Sequence, residues 1–164
     1  MPDTNKQTTG AIAEGMMVRE LKRHGIRAVE LPRNSPTIDI VAYDRATGKT
    51  VGIQAKGKRT PDWQFRAGWL LDIKQECKRQ RLEGKKSLAN KDLIYVLVNI
   101  PGKEFYYMTL GEFQDMQYKV YERDHIKPGK EGAGDYFTVS DDEVRKYGRK
   151  EGMGFIKKAL GMQP

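Results

Sequence analysis

Cysteine is nearly absent: the single Cys77 excludes an internal disulfide and with it a disulfide-built secreted scaffold. Histidine is scarce too, and His24 and His125 with one thiol are too few for a structural zinc centre. No apolar run approaches the ~18 residues of a membrane span. The polar start MPDTNKQTTG has no signal-peptide core, so the expected location is intracellular, in the cytoplasm, with no membrane partner. Hydrophobic residues make up 38% of the chain, below the about 45–50% of an average domain, so a modest core is expected. No repeat, helix-turn-helix or zinc finger is visible. What the chain has in surplus is positive charge. Thirty Lys and Arg against 22 Asp and Glu give +8 over 164 residues, a balance that suits a polyanionic partner. The length fits one domain.

The chain reads as alternating α and β segments. Residues 1–8 are polar and expected to be disordered, and the domain is expected over 9–164. TTGAIAEGMMVRELKRHG has Ile12, Met16, Met17 and Leu21 near helical spacing and Gly25 as a stop. IRAVEL, TIDIVAY and TVGIQAK read as strands, the last two joined by the turn-forming DRATGK, in which Asp44 is expected to serve the turn. DWQFRAGWLLDIKQECKRQRLEGKK reads as a helix, with Phe65, Trp69, Ile73 and Cys77 at four-residue steps. DLIYVLVNI reads as a buried central strand, KEFYYMTL as another strand and GEFQDMQYKVYERD as a helix. A mobile loop is expected near 124–136. The SDDE capping box at Ser140 opens a helical segment over 140–161. The fold class is therefore α/β, a mixed sheet flanked by helices in a single domain.

One hairpin gathers polar residues. If Asp44 and Lys49 close its loop, antiparallel partners have numbers summing to 93, which sets Asp39 opposite Gln54 with Lys56 one diagonal step away on the same face. Ile38, Ile40 and Ala42 then share the core face with Val51, Ile53 and Ala55.

The run GAIAEGMMVRELKRHG, then SPTIDIVAYD, then VGIQAKGKR resembles the PD-(D/E)XK nuclease superfamily, over about the first sixty residues well and over the next helix and two strands in outline. Within it the chain is most similar to the small branch of archaeal-type Holliday junction resolvases, Mrr-type restriction nucleases and compact homing endonucleases. The resemblance implies a restriction-endonuclease-like fold and a site of Glu14, Asp39, Gln54 and Lys56. Asp39, Gln54 and the backbone carbonyl of Ala55 would bind Mg²⁺, or Mn²⁺ in its place, because hard cations take oxygen ligands. Lys56 would orient the attacking water or stabilise the charged phosphorus, and Glu14 would be an accessory acid. Lys58 and Arg59, leaving the same strand, would grip phosphates flanking the cut.

Two departures stand out. Gln54 occupies a position where the family usually has Asp or Glu, which removes a negative charge from the metal shell. Pro36 precedes Asp39 by three residues rather than one. A literal match, Pro61-Asp62 with Glu76-Cys77-Lys78, is set aside because residues two apart on a helix diverge by about 200°.

The expected function is a Mg²⁺-dependent DNA endonuclease that hydrolyses phosphodiester bonds in double-stranded or branched DNA. The resemblance implies a 5′-phosphate product, and a homodimer or higher homo-oligomer is expected, since one site must serve two strands. The alternative is a non-catalytic nucleic-acid-binding module that keeps the fold, for which the neutral Gln54 is the motive. An RNA-processing nuclease would share the same site.

Overall fold

The computed structural model describes residues 4–32, 37–76, 79–125, 136–149 and 151–163. Within them lie four helices and nine strands, in two compact units: residues 1–59, 93–109 and 148–164, and residues 60–92 and 110–147. Strands β1 (Arg27–Glu30), β2 (Ile40–Tyr43) and β3 (Thr50–Lys58) belong to the first unit with helix α1 (Thr4–Arg23). Strands β4 (Trp63–Arg66), β5 (Leu71–Glu76) and β6 (Arg79–Lys85) belong to the second. β7 (Ile94–Asn99) and β8 (Glu104–Thr109) return to the first unit, and α2 (Leu110–His125), β9 (Tyr136–Val139) and α3 (Asp141–Tyr147) to the second. α4 (Met153–Ala159) closes the first.

The first unit is a five-stranded sheet in the order β1-β2-β3-β7-β8, antiparallel except for the β3–β7 pair. Its β2–β3 register is the one the loop arithmetic requires: Tyr43 faces Thr50 and Ile40 faces Ile53. The loop is closed by Gly48 at φ 72° and by the Asp44 carboxylate, which accepts the Thr47 N–H at 2.9 Å. α1 buries the stripe Ala13, Met17 and Leu21 against this sheet and stops at Gly25, whose φ of 76° a side chain would resist. Met153, Ile156 and Leu160 of the C-terminal segment join the same core.

The helix begins at Thr4, so the polar stretch expected to be disordered through residue 8 is helical from Thr4, while residues 1–3 lie outside the described ones. The loop expected near 124–136 lies outside them for residues 126–135; Asp124 and His125 end α2 and Tyr136 opens β9. The expected C-terminal helical segment is two helices, α3 and α4, with Arg149 between them bridging to Tyr107 of β8. The capping box forms on one side: Ser140 Oγ accepts the Glu143 N–H at 3.3 Å, whereas the Glu143 carboxylate turns to Arg123.

The second unit corrects the sequence reading. Residues 62–86, expected to be a helix, form β4, a 3-10 turn (Ala67–Trp69) and the β5–β6 hairpin. A four-residue step is also two strand periods, so Phe65, Trp69 and Ile73 fit either pattern. The alternation is seen in burial instead: Trp63, Phe65 and Ala67 are buried while Gln64 and Arg66 are exposed. β4 pairs with β9, a strand the sequence reading did not anticipate.

Candidate functional site

The five-stranded sheet puts the candidate residues at the irregular end of β2. Asp39 donates its N–H to the Ile53 carbonyl at 3.0 Å, although Ile53 already faces Ile40. Two successive residues thus address one partner, as in a β-bulge, and the regular 93-sum pairing ends there. Asp39 is consequently not simply opposite Gln54. The same step moves Ile38 off the core face: its Cδ1 lies 2.9 Å from where a side chain on Gly52 would start, on the face of β3 that carries Gln54. Glycine at position 52 is what leaves room for it.

The bulge turns the Asp39 carboxylate onto β3, where Oδ2 accepts the Ala55 N–H at 3.0 Å. A strand residue's N–H and C=O point to the same edge, so the Ala55 carbonyl leaves β3 on the Asp39 side as well. Burial raises the Asp39 pKa above the usual carboxylate value, and the Ala55 N–H opposes that rise without cancelling it. Gln54, the neighbouring residue on β3, holds a buried Oε1 that no donor among the described residues reaches. A buried oxygen without a donor is uncommon in a folded chain and suits a cation. Asp39 Oδ, Gln54 Oε1 and the Ala55 carbonyl are all hard oxygens, so this donor set fits Mg²⁺ or Mn²⁺. Among the described residues no three His, Cys, Asp or Glu side chains cluster.

Lys56 is half-buried, two residues beyond Gln54 on the same face of β3. Glu14 is half-buried on α1, beside Ala13, and strand pairing does not by itself gather it with Asp39. α1 approaches β3 at Gly57, where a Cβ would stand 2.7 Å from the Ala13 Cβ and 3.3 Å from the Thr9 carbonyl. Gly57→Ala is expected to push α1 off the strand and cost about 1–3 kcal/mol, read as a lower denaturation midpoint with an unchanged denaturant slope. Lys58, expected at a phosphate, is only 5% exposed, so Arg59 is the exposed cation of that pair.

Tyr95 is a neighbour that the sequence reading does not single out. It faces Gln54 across the β3–β7 pair and is fully buried. Burial first, and the Asp39 charge second, hold its phenol protonated far above the ordinary tyrosine range. A hydroxyl inside an otherwise apolar strand was the available signal.

The literal motif match does not assemble in the same way. Asp62 precedes β4 and Glu76 ends β5, strands of two different sheets, while Cys77 and Lys78 lie outside the described residues. The helical geometry used to set it aside is absent, but no strand pairing brings Asp62 and Glu76 side by side.

No family model and no curated protein matches this chain. Among solved structures, the bacterial homing endonuclease I-Ssp6803I aligns over 93% of this chain and 93% of its own, at 12% identity and a TM-score of 0.54. Archaeoglobus fulgidus Hjc, a Holliday junction resolvase from an archaeal hyperthermophile, aligns over 94% of this chain and 98% of its own, at 13% identity and a TM-score of 0.46. The likeness to the first shows the fold, a restriction-endonuclease-like mixed sheet with flanking helices. Among the described residues no helix is long and apolar enough to cross a membrane.

Proposed function

We propose that this chain is a metal-dependent DNA endonuclease, with Asp39, Gln54 and the Ala55 carbonyl holding Mg²⁺ or Mn²⁺. The observation that carries the reading is the buried Oε1 of Gln54, which no described donor reaches, one residue along β3 from the Ala55 N–H that anchors the Asp39 carboxylate. When bound, the cation would neutralise charge growing on the phosphate and make water a better nucleophile. The protein's own part is positional. The Ala55 N–H fixes the Asp39 carboxylate, so one oxygen is committed to the backbone and the other is left to face a ligand. Lys56 supplies a positive charge on the Gln54 face to orient the attacking water and offset charge on the phosphorus. Glu14 is the accessory acid from α1. Arg59 grips a neighbouring phosphate, and the surplus of +8 favours the approach of a polyanion. Two strands and one site per chain call for a homodimer or a larger homo-oligomer.

Supercoiled plasmid incubated with Mg²⁺ or Mn²⁺ tests the reading. Wild type should nick or linearise it, and Lys56→Ala should lose the activity while keeping the fold by circular dichroism. Equal cutting by both would place the chemistry elsewhere. A chain that binds duplex equally well in EDTA and never cuts would be the non-catalytic module.

Gln54→Glu provides a separate check on the metal shell. A second carboxylate beside Asp39 should lower the metal-free melting temperature through like-charge repulsion and desolvation. The rise on adding Mg²⁺ should then exceed that of wild type. An equal rise in both proteins would mean that position 54 does not touch the cation.

A further inference from the structure

The antiparallel ribbon of β4 and β9 has two unlike faces. Its inner face is aromatic: Trp63, Phe65 and Phe137 are buried, Phe65 meets Phe113 of α2 edge-on at 5.0 Å, and Phe137 meets Tyr121 at 5.5 Å. The Trp63 indole N–H donates to Asp141 at 2.9 Å, which ties the ribbon to the start of α3. The platform is therefore held on one side by rings and a hydrogen bond. The outer face consists of Gln64 opposite Thr138 and Arg66 opposite Tyr136, all four exposed and none acidic.

That outer face is not an ordinary polar surface. Tyr136 on it is 52% exposed, although large apolar side chains usually find cover. Aromatics and arginine are the residue types that recognition surfaces concentrate. Arginine can pair with both acceptors of guanine, glutamine can pair with adenine, and threonine offers a hydroxyl and a methyl.

We infer that the outer face of the β4–β9 ribbon, through Gln64, Arg66, Tyr136 and Thr138, reads base edges in the major groove of duplex DNA. A two-stranded ribbon fits that groove, whereas the deep, narrow major groove of an RNA helix excludes side chains. Successive outward residues of a strand stand about 7 Å apart, and base pairs rise about 3.4 Å each. Gln64 and Arg66 therefore address positions about two base pairs apart. The described residues of this face hold one guanidinium and no carboxylate, which on a chain of +8 suits a polyanion. The inference deepens the nuclease reading above and rests on it.

The test is selection of bound sequences from a pool of randomised DNA duplexes, with the full chain in EDTA so that nothing is cut. Wild type should enrich a motif. Arg66→Lys keeps the charge but loses the fork, so preference at one position should fall about tenfold or more. Affinity for unselected duplex should stay nearly unchanged. Gln64→Ala should relax a second position about two base pairs away. An identical motif in both variants overturns the inference, as does wild type that binds duplex yet enriches nothing. Metal-dependent plasmid cleavage alongside either result leaves the nuclease reading standing and removes the ribbon alone. A chain that neither binds the pool nor cuts plasmid removes both.

Discussion

Replacing Asp39 with asparagine will abolish plasmid cleavage and at the same time raise the melting temperature of the metal-free protein. The two effects have one origin. The Asp39 carboxylate is partly buried, and removal from water lifts its pKa above the usual value despite the Ala55 N–H. A carboxyl with a raised native pKa favours the fold below its unfolded pKa and loses that contribution as pH rises through the native one. Wild type loses it once the carboxyl ionises, above that native value. Asparagine does not titrate, and its amide oxygen can still accept from Ala55, so the variant melts higher above that value. The gap should close in acid, below both pKa values. Cleavage behaves oppositely: a charged oxygen in the metal shell supplies several kcal/mol at the transition state, so the loss should be about a thousandfold or more. Mg²⁺ makes the separation visible. A cation at about 100 times its Kd adds about 2.7 kcal/mol to wild type, and it should leave Asp39→Asn nearly unmoved. A variant that melts lower than wild type without metal would show that the ionised carboxylate is structural; one that still cuts would remove Asp39 from the chemistry.

What the sequence made legible was the part governed by local rules. Turn chemistry between Asp44 and Lys49 determined the register of β2 on β3, and alternation then put Ile40, Ala42 and Ile53 in the core. Helical apolar spacing found α1, and continuous apolarity found β7. The failures share a cause. Over Phe65, Trp69 and Ile73 the apolar spacing is even, and an even step satisfies both a helix and a strand, so β4 and the β5–β6 hairpin read as one helix. β9 is four residues long, and its partner β4 lies about seventy residues earlier, a pairing no local window contains. At the site, the alternation that located Asp39 near Gln54 is what the bulge breaks. Side-chain direction there depends on the Asp39–Ala55 bond rather than on period. The burial of Lys58 and the proximity of Tyr95 to Asp39 are likewise products of the assembled sheet.

Gly152→Ala is expected to be strongly destabilising although it lies outside the site. Gly152 caps the start of α4, and a Cβ there would stand 2.1 Å from Cγ and 2.3 Å from Cβ of Tyr107. Neither atom can swing aside. Tyr107 is 2% exposed on β8, the edge strand of the five-stranded sheet, and its backbone exchanges two 2.9 Å hydrogen bonds with Arg149. Those bonds occupy groups that an edge strand otherwise leaves open to another chain. The Arg149 guanidinium also lies over the Phe155 ring at 5.0 Å, fastening the segment from its other side. An added methyl must therefore either distort β8 or lift the segment carrying Met153, Ile156 and Leu160, each of which contributes about 1.5–3 kcal/mol by its burial. The cheaper outcome still costs about 3 kcal/mol, a fall of roughly 6–12 °C in melting temperature for a chain of this size. If the segment lifts, limited proteolysis should cut first within residues 149–163 and the freed edge of β8 should promote self-association. If β8 distorts instead, the melting temperature falls with no new early cut. A variant that melts like wild type would mean that the C-terminal segment does not dock on Tyr107 in solution.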